Sequence, residues 1–209
     1  MNNFKLKNDI IAISYYANQN DWKNISKTNY QRILYFSAVL APIFAPNTNW
    51  SYGFNNTIFG PYNTEITDSL KELNVKDLIT EVNRAIHVNK VYTDYVISKK
   101  GIDLFENKLY KIESEQAKYK WFSIVVKVLS IYGSDFMVKL IKNDPNVVFQ
   151  DENRLQEKLV IDNTSDNLSK EFFMYIKGNN LATENNLVDE DILLVFFDIL
   201  YRKYKGGQL

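Results

Sequence analysis

A chain of 209 residues, 45% hydrophobic and 14% aromatic, carries enough apolar side chain for one or two folded domains with a sizeable core. Its 25 basic and 25 acidic residues cancel, which argues against a stand-alone nucleic-acid binder, whose affinity comes from neutralising phosphates. With no cysteine, the chain has no disulfide, cysteine-ligated zinc site or thiol chemistry.

The first apolar patch, around residues 10–13, is too short for a secretory signal and follows acidic Asp9. A short amphipathic helix is expected over 7–17, then a polar loop over 18–29. Ile33, Phe36, Leu40 and Phe44 form a stripe at helical spacing, so a helix is expected from Tyr30 to Phe44, with Pro42 and Pro46 marking its end. The next stretch, PNTNWSYGFNNTIFGPY, is rich in turn residues interleaved with aromatics and reads as a loop.

Asn63 can cap a helix running from Thr64 to Leu73, with Ile66, Leu70 and Leu73 facing inward and Asn74 as the residue just past its end. The period then changes from helical to alternating. Val82, Ile86 and Val88, followed by Val91, Thr93, Tyr95 and Ile97, predict two strands of a hairpin joined at Asn89-Lys90. A further helix begins near Ser98, its stripe made by Ile102, Phe105, Leu109 and Ile112.

The C-terminal half carries no strand signal. Trp121–Tyr132 is apolar nearly all round, which predicts a buried helix stopped by Gly133, with a short helix following before Pro145. Residues 150–158 and 168–177 are further helical candidates. The last helix begins at the acidic run Asp189, Glu190 and Asp191 and ends at Arg202, Lys203 and Lys205, both suited to the helix dipole. Its apolar residues spread over two sides, Ile192, Val195, Phe196, Ile199 and Leu200 on one, Leu193, Phe197 and Tyr201 on the other. That spread fits core packing or a partner interface. Lys127 and Asp198 interrupt the longest apolar runs, which fall short of the ~20 residues of a membrane span, so a cytoplasmic protein without a membrane partner is expected.

Two helices, a hairpin and another helix, in that order, match a winged helix. The expected fold class is mainly α with a small β-hairpin. Residues 1–27 would form an N-terminal helix and loop arm, 28–112 a winged-helix domain, and 113–209 a helical C-terminal region packed on it. The run LKELNVKDLI…YVISKKGIDLF resembles the end of many winged-helix domains.

No catalytic constellation stands out. The single histidine, His87, lies in the expected wing without partners, and the carboxylates at 151–152 and 189–191 read as helix-start residues. No phosphate-cradling or nucleophile-elbow motif occurs, so no catalytic, metal or cofactor residue is expected and the chain is not read as an enzyme. The helix that would read DNA instead carries Glu65, Asp68 and Glu72 on its outer face, with Lys71 its only cation. Carboxylates repel phosphate, so that face suits a protein partner or plain solvation better than a groove. Trp50, Tyr52 and Tyr62 are added as partner-binding candidates because aromatics dominate interface hot spots. Arg84, His87, Lys90, Lys99 and Lys100 on and beside the wing could touch a DNA backbone, or be ordinary solvated charges.

Residues 30–79, YQRILYFSAVLAPIF…FGPYNTEITDSLKELNVKDLI, and 129–148, LSIYGSDFMVKLIKNDPNVV, resemble the middle component of bacterial ABC-three-component, Lamassu-like defence systems. The Gly-Pro-Tyr run and the acidic helix after it also resemble SocA/Panacea-type antitoxin domains. The first resemblance implies a non-catalytic subunit that bridges or restrains an effector on an SMC-like ATPase, touching DNA at most weakly through the wing. The alternatives are an antitoxin for a neighbouring toxin and a DNA-binding transcription regulator.

Overall fold

The computed structural model describes residues 3–48, 50–87, 90–144, 146–147, 157–159, 168–178 and 188–205. They are mainly helical, with two small antiparallel sheets. In chain order come α1 (Phe4–Gln19), β1 (Ile25–Ser26), α2 (Lys27–Phe44), β2 (Phe54–Thr57), β3 (Gly60–Tyr62) and α3 (Thr64–Val75). Then follow β4 (Ile79–His87), β5 (Lys90–Ile97), α4 (Lys99–Asn107), α5 (Gln116–Asn143), β6 (Lys158–Leu159), α6 (Leu168–Gly178) and α7 (Asp189–Lys205).

The core is built around α2. Ile33, Leu34, Phe36, Ala38, Val39 and Leu40 have no exposed surface, so this helix is apolar on every side and needs neighbours all round. α3, α5 and α6 supply them together with β1, β3 and β5, and α1 reaches α2 through the hydrogen bond between the Ser14 and Tyr30 hydroxyls, 2.7 Å apart. The residues expected as an N-terminal arm form α1, whose Leu6, Ile10 and Ile13 are fully buried. Ser26 caps α2, its hydroxyl accepting from the Asn29 amide at 3.1 Å. Pro42 lies in the last turn, and the helix stops two residues later.

Both α1 and α3 end in the same way. Asp21 and Asp77 adopt left-handed backbone, with φ of 57° and 56°. The Trp22 amide then reaches back to the Ala17 carbonyl at 2.9 Å, and the Leu78 amide to the Leu73 carbonyl at 3.0 Å. These are Schellman caps, which satisfy carbonyls the helix leaves open. Asp77 therefore occupies the position expected of Asn74, which lies inside α3 with its side chain accepting from the Glu81 amide at 2.9 Å.

The expected hairpin is present as β4–β5, with a third strand added. β1 pairs with β5, Ile25 opposite Tyr95, giving the strand order β1-β5-β4. Thr93, Tyr95 and Ile97 face the core as their alternation predicts, but Val91 and Ile86 are exposed. A bulge between Val82 and Ala85, with Asn83 at φ 53°, breaks the alternation on β4. Lys90 opens β5 instead of lying in the join, and Val88 and Asn89 lie outside the described residues.

Three further expectations are corrected. The loop expected over residues 46–62 contains β2 and β3, and the C-terminal half contributes β6, so a second sheet forms in the order β3-β2-β6. Residues 158–159 are thus strand and not helix, while 150–156 lie outside the described residues. Pro61 is tolerated because β3 is an edge strand. The helix starting at Ser98 stops at Asn107 and gives way to two 3-10 turns, 109–111 and 113–115. The expected stop at Gly133 is present: α5 consists of two helical segments meeting at a kink there, where φ is 76°, and the second segment ends at Asn143.

α7 buries Ile192, Leu193, Phe196, Phe197 and Leu200, leaving Val195 and Ile199 each 38% exposed. Its buried stripe therefore mixes the two expected sides. Lys127, which interrupts the apolar run of α5, pairs with Glu190 at 2.7 Å and ties α5 to the start of α7.

Candidate functional site

The acidic face of α3 is held in place from below. Asn63 caps the helix, its Oδ1 accepting from the Glu65 amide at 2.8 Å. Gln31 on α2 clips the same residue twice, accepting from the Asn63 amide at 2.9 Å and donating to its carbonyl at 2.8 Å. Ile66, Ser69, Leu70 and Leu73 are buried beneath. With that side fixed, helical geometry leaves Glu65, Asp68, Lys71 and Glu72 outward, and all four are exposed.

α1 borders this ridge. Asn3 Nδ2 donates to Glu65 at 2.9 Å, and Lys7 Nζ lies 2.5 Å from Glu72. Asp68 meets Lys71 one turn along its own helix, at 3.4 Å. Exposed pairs of this kind contribute about 0–1 kcal/mol. The ridge is therefore a solvated surface with three carboxylates, which its own contacts do little to stabilise.

The aromatic candidates divide. Tyr52 is 6% exposed and donates to Asp9 at 2.9 Å, so it is an interior residue and not part of a docking surface. Trp50 is partly buried against Tyr52 and Phe122. Tyr62 is half-buried, its hydroxyl 3.3 Å from that of Thr67 on α3. The exposed apolar residues of this segment are Ile58 and Phe59, at the turn between β2 and β3.

The basic candidates around β4–β5 form no continuous stripe among the described residues. Arg84 is exposed and 3.7 Å from Glu81. Lys99 is exposed, whereas Lys100 donates to the Lys76 carbonyl at 2.8 Å and so helps close the end of α3. His87 and Lys90 face each other in strand register, and their side chains lie outside the described residues. Ile86, Val91 and Tyr92 are exposed beside them, giving the hairpin end an apolar character that alternation alone did not predict.

The strongest titratable cluster is internal. Burial raises the Asp9 carboxyl from 3.8 to about 6, against the lowering influence of Lys118 and of the Tyr52 hydrogen bond. Burial also pushes Tyr35 well upward, reinforced by Asp144, whose carboxylate accepts from its hydroxyl at 2.6 Å. Each set is satisfied by its own members. Among the described residues no cluster of three or more His, Asp or Glu is arranged to hold a metal ion, and no helix is long and apolar enough to cross a membrane. No family model matches the chain, and no curated protein matches it.

Proposed function

We propose that this chain is a non-catalytic winged-helix subunit that docks onto other proteins of an anti-phage complex, bridging or restraining an effector on an SMC-like ATPase. The winged-helix reading rests on α1, β1, α2, α3, β4 and β5 following one another in the chain, with β2 and β3 inserted between α2 and α3, together with the strand order β1-β5-β4. In that arrangement α3 holds the place of a recognition helix and β4–β5 that of the wing.

The observation that carries docking over DNA reading is the outer face of α3. Glu65, Asp68 and Glu72 are exposed there against two ammoniums, Lys71 on the same helix and Lys7 of α1 beside Glu72, so the ridge keeps an acidic excess. Such a face repels phosphate and complements a basic protein surface. The defence setting comes from the resemblance of residues 30–79 and 129–148.

Co-expression with its genomic neighbours tests the reading. The expected result is co-purification with a long ATPase chain, reduced by the triple substitution Glu65→Gln, Asp68→Asn, Glu72→Gln. An unaltered complex with the triple variant would remove the ridge from the interface. A stable monomer indifferent to every neighbour, or tight sequence-specific binding in a low-salt electrophoretic shift, would overturn the proposal.

A further inference from the structure

Well away in sequence from the α3 ridge, a cleft of about 630 Å³ opens where α1, α4 and the start of α5 meet. Tyr15 and Tyr16 on α1, Phe105 and Glu106 on α4, Tyr110 in the turn after it, and Lys120 on α5 line it. Phe105 is buried and organises the rings. Tyr15 stacks on it at 4.5 Å, Tyr16 meets it edge-on at 5.5 Å, and Tyr110 is tilted against it at 5.9 Å. Tyr110 is 53% exposed, so its ring stands open to an incoming group.

The polar atoms offered here are mostly oxygens. Tyr15 donates to Glu106 Oε1 at 2.9 Å, which orients the carboxylate. Burial raises the Tyr15 and Tyr16 hydroxyls, and each is raised further by Tyr110, so the three phenols lie within electrostatic reach of one another. Glu106 makes no ion pair among the described residues, although Lys120 lines the same cleft.

We propose that this cleft binds a single arginine side chain presented by a partner polypeptide. A guanidinium is flat, so it stacks on tyrosine rings, and its fork of N–H donors matches a carboxylate bidentately. An ammonium would meet the carboxylate as a point charge and leave the ring faces less used. Lys120 excludes a second positive charge, and its ammonium suits a main-chain carbonyl of the bound segment. The occupant is therefore one arginine in an otherwise uncharged stretch and not a polybasic tail. The cleft shares no residue with the α3 ridge, so its test stands apart from the proposed complex.

Isothermal titration of the full chain with the capped pentapeptide Gly-Gly-Arg-Gly-Gly, and with its citrulline counterpart, decides the matter. Citrulline keeps the shape and removes the charge. The expected result is about tenfold tighter binding of the arginine peptide, a preference lost in Glu106→Gln and weakened in Tyr110→Ala. Both side chains are exposed, and circular dichroism of each variant serves as the check on folding. Equal binding of the two peptides, no saturable binding, or unchanged selectivity in Glu106→Gln would each overturn the proposal.

Discussion

Lys118 on α5 places its ammonium 2.5 Å from the Asp9 carboxylate on α1, across 109 residues of chain. Their side chains are 3% and 1% exposed. The same ammonium stands 4.5 Å from the centre of the Trp50 ring, and Tyr52 donates to the same carboxylate oxygen. One buried charge pair thus pins α1, the segment before β2, and α5 together. Removing two charges from water offsets most of their attraction, so such a pair specifies an arrangement more than it stabilises one.

Lys118→Met is accordingly expected to destabilise the fold by about 3–5 kcal/mol, because it takes the cation from a fully buried Asp9, whose carboxyl must then hold its charge without a counter-ion or take up a proton. Asp9→Asn with Lys118→Met is expected to recover most of that loss. Urea unfolding of the single and double variants measures the difference. A double variant as weak as the single one would show that the pair itself is the stabilising element.

Asp9 also sets a pH dependence. Its folded value, about 6, lies above the ordinary 3.8, so between those values the folded chain holds a proton that the unfolded chain releases. The contribution from this group is full below 3.8 and is lost as pH rises through about 6. Removing Lys118 strips away a lowering influence, so the window should move to higher pH in Lys118→Met and vanish in Asp9→Asn. Thermal unfolding across pH 4–8 reads both shifts.

Gly133 breaks α5 at φ 76° and ψ −178°, a region that residues with a Cβ avoid. No atom lies within 4 Å of a Cβ built there, so Gly133→Ala tests backbone strain by itself. A loss of about 1–3 kcal/mol is expected. Gly178→Ala meets equally open space without a positive φ and should be near neutral, which makes it the control.

Gly101→Ala tests crowding instead. A Cβ there would lie 2.1 Å from the Leu78 carbonyl oxygen and 2.8 Å from Ile97 Cγ1. The first turn of α4 must move away from the foot of the hairpin, at about 1–3 kcal/mol. Protease sensitivity of the 98–112 segment should rise together with the loss of stability.

The α3 ridge should behave in the opposite way. Lys7 and Glu72 are 14% and 52% exposed, and Asp68 and Lys71 about two-thirds. The triple neutral variant is therefore expected to change stability by no more than about 1 kcal/mol. Any loss of assembly can then be assigned to the surface, and parallel melting curves make the check.

Much of the fold was legible from period and capping. The α2 stripe, the Asn63 cap and the change to alternation after Leu78 are local patterns, and each element formed close to where its residues placed it. The acidic face of α3 was legible for the same reason, since a helix whose apolar residues face inward must turn the rest outward. What local pattern could not supply was the pairing of short strands. β1 and β6 are two residues each, too short to show alternation, and exist because a partner strand offers open hydrogen-bonding groups.

The sequence by itself determined which stretches form most of the helices, with the starts of α1, α2 and α5 three to five residues earlier than expected, the inward stripe of α3, and the neutral balance with an acidic α3. These follow from contacts between residues a few positions apart, and their period is written in the chain. Only the tertiary structure decided that Tyr52 turns inward to Asp9, that Lys118 joins them, that Glu106 and Tyr110 share a cleft with Tyr15, and which residues of α7 are buried. Those choices depend on chain closure over tens of residues, where the physical partner of a side chain leaves no periodic trace.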